Sequence, residues 1–361
     1  MIEQQFLECC LEHKQILIPP DIEQWKSLLD FCVRQSIVGV GFYGIEKMSQ
    51  KPPKDLLLQW IALSELIKKR NILLNKRCVE LAERLQQDGF DYCILKGQGN
   101  SLLYPYPVSR TPGDIDIWMK PKKRDRRLEA GDIINYVKGR NPKGRAEYHH
   151  IDFGEFNGVE VEAHYRPTFM NNLITNRRLQ RWMKERESEQ FNNLVSLPGL
   201  EQKISVPTWD FNVVFQLSHI YRHVIQGGIG LRQMIDYYYL LKSNANRPND
   251  TNCYETLKYL GLMEIAGAVM WVMKEVLGLE DQYLIAPVDK RRGRFLYREI
   301  MNGGNFGQYN ADGRRKQVEG GVKKNINRLK RDIRLLCYFP SECLWEPVFR
   351  VYHYFWRLKY N

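Results

Sequence analysis

Residues Asp114-Ile115-Asp116-Ile117-Trp118-Met119 alternate acid with apolar residue and then run apolar. A period of two is that of a β-strand, whose successive side chains point to opposite faces, so both carboxylates fall on one side of a sheet. Like charges this close raise one another's pKa, and a shared proton or a divalent cation is the usual remedy. A chain with this strand must therefore supply a sheet, a partner layer for the apolar face, and something positive in front of the acids.

The flanking sequence narrows the sheet. Tyr92-Cys93-Ile94-Leu95 is a short apolar run bounded by turn formers and predicts a buried strand. Asn157-Gly158 divides two alternating runs, 146–155 and 159–166, and predicts a hairpin. In its second strand Glu160, Glu162 and His164 share one face, and Val159, Val161, Ala163 and Tyr165 the other. Gly97 to Tyr104 fits a short helix stopped by Pro105 and Pro107, and Pro198, Gly199 and Pro207 punctuate a loop or minor hairpin over 194–207.

Elsewhere the spacing is helical. Trp25, Leu28, Leu29, Cys32 and Val33 form one apolar stripe, and Leu66, Ile72, Leu73, Val79, Leu81 and Leu85 another. Pro52 and Pro53 separate them, and Gly89 stands where a helix C-terminus expects glycine. Helices follow over Phe211 to Val224 and Leu231 to Leu241, and a tail helix near 322–336 sets Ile326, Leu329, Ile333 and Leu336 against Lys and Arg. The expected fold is α+β, a small mixed sheet with flanking helices (89–208) between helical N-terminal (1–88) and C-terminal (209–361) regions.

Hydrophobic residues make up 43% and charged residues 27%, which predicts a chain folded nearly throughout. No basic segment leads into an apolar stretch, and no window reaches the roughly 18 apolar residues of a membrane span, so the expectation is a cytoplasmic protein without a membrane partner. The eight cysteines include no C-x-x-C pair, which argues against a disulfide framework and a structural zinc site. Net charge is +12, and residues 311–361 hold 12 Lys/Arg against 5 Asp/Glu. With Lys120, Lys122, Lys123, Arg124, Arg126 and Arg127 this allows a phosphate-bearing partner, but no nucleic-acid-binding signature accompanies it, and nucleic acid is not favoured.

A third acid on an adjacent strand, Glu162, would complete a two-metal site for in-line phosphoryl or nucleotidyl transfer, and hard oxygen ligands favour Mg²⁺. Upstream, Lys96-Gly97-Gln98-Gly99-Asn100-Ser101 joins a strand to a short helix, where glycine lets backbone N–H groups approach a phosphate. Lys96 and Arg110 could add positive charge to the same triphosphate. No Gly-x4-Gly-Lys-Ser/Thr run exists, and Gly97-x-Gly99 lacks the third glycine of a dinucleotide fingerprint. His219 and His223, four apart on a helix, are spaced either to share a metal or to pack. His150 and His164 fall near the acids; Arg232 and Asp236 are spaced for a helical ion pair, and Arg232 would meet phosphate if the helical half closes over the cleft.

Leu95-Lys96-Gly97, Leu103-Tyr104, Arg110, Gly113-Asp114-Ile115-Asp116-Ile117 and Val161-Glu162-Ala163-His164-Tyr165-Arg166 together resemble the uncharacterised nucleotidyltransferase family of the polymerase-β superfamily, over roughly residues 60 to 240. The resemblance implies a polymerase-β-like nucleotidyltransferase core with Asp114, Asp116 and Glu162 as catalytic metal ligands, two Mg²⁺ ions being expected. Lys96, Gly97, Asn100, Ser101 and Arg110 would bind nucleotide. The residue after Gly97 is Gln98 where the family has Gly or Ser, which moves the expected phosphate contacts to Asn100 or Ser101. Glu162 is preferred to Glu160 because His-Tyr-Arg follows it. The implied activity moves a nucleoside monophosphate from an NTP to a hydroxyl of a small molecule or protein. The alternatives are a non-catalytic module that binds nucleotide or a partner, and nucleotidyl addition to RNA.

Overall fold

A computed structural model describes residues 2–12, 20–122, 129–243, 251–309 and 321–361; Lys123, Arg124, Arg126 and Arg127 and the first part of the basic tail lie outside the described residues. Helices α1 (Ile2–Glu12), α2 (Ile22–Gln35) and α3 (Val38–Lys47) precede the long α4 (Lys54–Gln87). Asp21 starts α2 with a capping box: its carboxylate accepts from the Gln24 N–H, and the Gln24 side-chain oxygen accepts from the Asp21 N–H. Pro52 and Pro53 stand just ahead of α4, and Gly89, at φ +86°, follows its end. There follow β1 (Phe90–Leu95), α5 (Gly97–Ser101), β2 (Ile115–Pro121), α6 (Glu129–Lys138), β3 (His150–Phe156), β4 (Val159–His164), α7 (Leu173–Glu185), α8 (Glu187–Asn192), β5 (Leu194–Ser196) and β6 (Lys203–Ser205). The remainder is helical: α9 (Trp209–Gln226), α10 (Leu231–Lys242), α11 (Thr251–Tyr259), α12 (Met263–Glu275), α13 (Lys290–Gly303), α14 (Gly321–Leu336) and α15 (Pro340–Tyr360). No helix among the described residues is long and apolar enough to cross a membrane.

The chain forms two compact units that interleave in sequence: Met1–Lys69 with Leu103–Thr111 and Ile220–Pro340, and Arg70–Leu102 with Pro112–His219 and Ser341–Asn361. They run across the divisions at 88 and 208, because α4 and α9 each give residues to both. The first unit is built on helices. Phe6, Trp25 and Trp60 meet edge-on or tilted with centroids 6.1–6.4 Å apart, and α12 packs along α13, where Arg292 bridges Glu264 and Asp289 at 2.8 Å each.

The second unit holds the sheet, in the order β1-β2-β4-β3. β1 is antiparallel to β2, β2 is parallel to β4, and β4 is antiparallel to β3. The β3–β4 turn places Asn157 at φ +48° and Gly158 at φ +86°, the left-handed pair that a two-residue hairpin demands. One face of the sheet, with Ile94, Ile115, Ile117, Val161 and Ala163, shares a core with Leu74, Cys78, Leu81 and Leu85 of α4 and Ile133, Ile134 and Val137 of α6. Each Ile, Leu and Val side chain among them contributes about 1.5–3 kcal/mol through burial. The opposite face carries Asp116 beside Trp118, which packs against Phe191 and Phe211.

Helix α15 completes this unit, a role that nothing in the sequence pattern pointed to. Phe349 packs with Tyr148 and Phe169, and Trp356 and Tyr360 lie against the sheet core. Glu342, buried, accepts from the backbone N–H groups of Asn171 at 2.6 Å and Asn172 at 3.2 Å, just before α7.

Candidate active site

The parallel pairing of β2 with β4 sets the site. Its register puts Asp116 opposite Glu162 and Trp118 opposite His164, so side chains 46 residues apart meet on one face. Asp116 Oδ1 lies 3.0 Å from His164 Nε2, and Asp116 Oδ2 lies 3.0 Å from Lys96 Nζ. Glu162 Oε2 is 3.5 Å from His164 Nε2 and 3.6 Å from His150 Nδ1. Asp114 stands exposed just ahead of β2. With Glu155, Glu160 and Arg70 it lines an open cleft of ≈ 490 Å³.

Lys96 reaches Asp116 from an uncommon backbone. It has φ +52°, and Gly97 beside it has φ +45°. For a residue with a Cβ that region costs about 1–2 kcal/mol, and strain of this kind persists where the surroundings hold it and tends to cluster at functional sites.

The electrostatics follow from this crowding. Atoms packed around the Asp114 carboxyl, and the neighbouring charges of Asp116 and Glu162, push its pKa up to about 6. Burial opposes ionisation of Asp116, but Lys96 and His164 overcome it and hold the carboxyl well below the usual range. Burial also opposes the Glu162 charge, and the His164 hydrogen bond with the charges of His150 and His164 leaves its pKa lowered. For His164 burial favours the neutral ring, yet Asp116 and Glu162 raise its pKa. Asp116, Glu162 and His164 bring one ligand atom each within 4.8 Å of one another, a donor set that fits a divalent cation.

Residues 21–278 match the family described as "Uncharacterised nucleotidyltransferase". The chain belongs to this nucleotidyltransferase family. A crystal structure of an antigenic nucleotidyltransferase-like protein from Paracoccidioides brasiliensis is similar at 15% identity and a TM-score of 0.35, over 61% of this chain and 96% of that one. No curated protein matches the chain.

In this nucleotidyltransferase family member the expected nucleotide ligands are placed unequally. Lys96 and Gly97 border the acids, but Asn100 and Ser101 are buried. Asn100 Oδ1 accepts from Asn212 at 3.2 Å and Gln216 at 3.1 Å, and the Ser101 hydroxyl donates to the Gln98 carbonyl at 2.8 Å. Gln98 turns inward to Asn71 and Asn75. Arg110 lies in the first compact unit, where it donates to both oxygens of Asp236, Nε at 2.7 Å and Nη2 at 2.8 Å. Arg232, in the same unit, donates to the Thr111 carbonyl at 3.4 Å and stands over Phe306.

His150 and His164 both reach the acids, whereas Glu160 faces the cleft. His219 contacts the Lys96 ammonium at 3.4 Å, and the His223 ring packs on Phe306. The Lys96–His219 contact spans 123 residues, and no local signal in the sequence announces it.

Proposed function

We propose that the protein transfers a nucleoside monophosphate from a nucleoside triphosphate to a hydroxyl of a small-molecule or protein acceptor, in the cytoplasm. One observation carries this reading: Asp116 and Glu162 face each other across adjacent parallel strands, with Asp114 two residues before Asp116. Divalent cations at these carboxylates, two Mg²⁺ ions on the oxygen donors alone, would neutralise the triphosphate and lower the pKa of the acceptor hydroxyl.

The chain's own residues have separate tasks. Lys96, 3.0 Å from Asp116, is positioned to share its charge with a phosphate, and Gly97 offers backbone without a Cβ to hold one away. The cleft beside Asp114, Glu155, Glu160 and Arg70 has room for a small molecule or a protein side chain as acceptor. The acceptor oxygen bonds to the α-phosphorus while the bond to the α–β bridging oxygen breaks. The electron pair leaves with pyrophosphate, and the hydroxyl proton passes to a carboxylate or to solvent. Family membership supports nucleotidyl transfer in general.

A second reading, nucleotide or partner binding without catalysis, is favoured by one feature: Asn100 and Ser101 direct polar groups into the protein rather than toward a phosphate. Incubation with each radiolabelled NTP, Mg²⁺ and cell extract, comparing wild type with Asp114→Ala/Asp116→Ala, separates the two. A labelled product that requires the acids supports transfer. Metal-dependent NTP binding without product supports the second reading, and the loss of both refutes catalysis. An RNA acceptor would show as strongly salt-dependent RNA binding.

A further inference from the structure

We infer that the position between Asp116, Glu162 and His164 is built for a first-row transition-metal dication rather than for Mg²⁺. This refines the site above and rests on that reading for the metal's use, not for its binding. The three donor atoms lie within 4.8 Å of one another, with His164 Nε2 3.0 Å from Asp116 Oδ1 and 3.5 Å from Glu162 Oε2. An ion about 2.1 Å from each donor spaces neighbouring donors at roughly 3.0 Å in an octahedron and 3.4 Å in a tetrahedron. The two spacings from His164 to the carboxylates already suit one ion.

The imidazole is also oriented for it. His164 Nδ1 lies 3.3 Å from the Arg166 carbonyl oxygen and Nε2 faces the Asp116 and Glu162 carboxylates, so both ring nitrogens meet acceptors. A metal ion on Nε2 would take the place of the proton shared with those carboxylates and leave the Nδ1 proton on the carbonyl. A backbone carbonyl on the far nitrogen is the device that fixes metal-bound histidines. The ring is 1% exposed and cannot turn out to water instead. Mg²⁺ takes oxygen donors and keeps its waters, whereas a first-row transition-metal dication accepts imidazole beside carboxylate, and Mn²⁺ is the member of that series whose nitrogen ligands EPR reads. Two further imidazoles crowd the same side, His149 and His150, with ring centroids 5.4 and 5.3 Å from that of His164.

The test uses the full chain, freed of metal by chelation and loaded with Mn²⁺ alone. Pulsed EPR is expected to show a directly bonded nitrogen, assigned to histidine by ¹⁵N-histidine labelling. His164→Gln should lose that coupling and bind Mn²⁺ about 10–100-fold more weakly. Glu162→Gln should weaken binding but keep the coupling, which guards against a His164 variant that fails to fold. Mn²⁺ bound through oxygen alone, or with equal affinity in wild type and His164→Gln, overturns the inference. Nucleotidyl transfer with Mg²⁺ and no nitrogen coupling would overturn it and leave the proposed activity standing. Nitrogen-bound Mn²⁺ with no transfer would do the reverse.

Discussion

Replacing Arg110 separates a structural from a phosphate-binding role for that residue. Its guanidinium is 5% exposed and forms two parallel bonds to Asp236, itself 4% exposed, while the Tyr104 hydroxyl donates to the same carboxylate at 2.7 Å. Removing one member of a buried pair leaves the other charge without compensation, which typically costs about 3–5 kcal/mol. Arg110→Met should therefore lower the melting temperature by on the order of 10 °C, read by differential scanning fluorimetry. Replacing both partners by apolar residues of similar size removes the orphaned charge. Arg110→Met/Asp236→Leu should thus recover part of the loss, the Tyr104 hydroxyl being left without that acceptor.

Acid adds an independent check. Burial disfavours the Asp236 charge, but Arg110, with the Tyr104 bond, lowers its pKa below the ordinary value. A carboxylate with a depressed folded pKa contributes stability above its unfolded pKa of about 3.9, and that stability disappears as pH falls through the folded value. The wild-type advantage over the double variant should hold from neutral pH to about 4 and shrink below it. An Arg110→Met protein that melts with wild type but binds NTP more weakly would refute the structural role.

Three more outcomes are expected. Lys96→Gly relieves the positive-φ strain while taking the cation from Asp116, so folding free energy should stay within about 1 kcal/mol by urea titration while acid-dependent label incorporation falls at least about 100-fold. At Gly39 a Cβ would stand 2.2 Å from the Ser109 carbonyl oxygen, so Gly39→Ala should destabilise by about 1–3 kcal/mol in the same titration. Glu342→Ala orphans the Asn171 and Asn172 N–H groups; hydrogen exchange there should accelerate, with a loss on the order of 2 kcal/mol.

Local chemistry made the sheet readable. Alternation around Asp114 and Asp116, the apolar run at Tyr92–Leu95 and the Asn157-Gly158 turn all act within a few residues, and β1, β2 and the β3–β4 hairpin lie there. The parallel match of Asp116 with Glu162 is not local. It depends on which strands neighbour each other, and no residue between them encodes that choice. Arg110 illustrates the same limit, since a cation near a glycine turn looks like a phosphate ligand until a carboxylate 126 residues later claims it. Asn100 and Ser101 show that a polar residue on a short helix carries no mark of the side it faces. Helix α15, whose sequence includes Pro347, gave no periodic signal that it belongs with the sheet.

The interleaving of the two compact units bears on how the protein is made. Segments of each unit alternate along the chain, and the sheet-bearing unit takes its last segment, Ser341–Asn361, from the end of the sequence. During synthesis the strands with the acids leave the ribosome long before the helix that holds the Asn171 and Asn172 backbone and packs on Tyr148 and Phe169. Neither unit is therefore complete as a contiguous nascent fragment. A ribosome-stalled chain ending before Ser341 should be more sensitive to protease within Arg70–His219 than the released full chain.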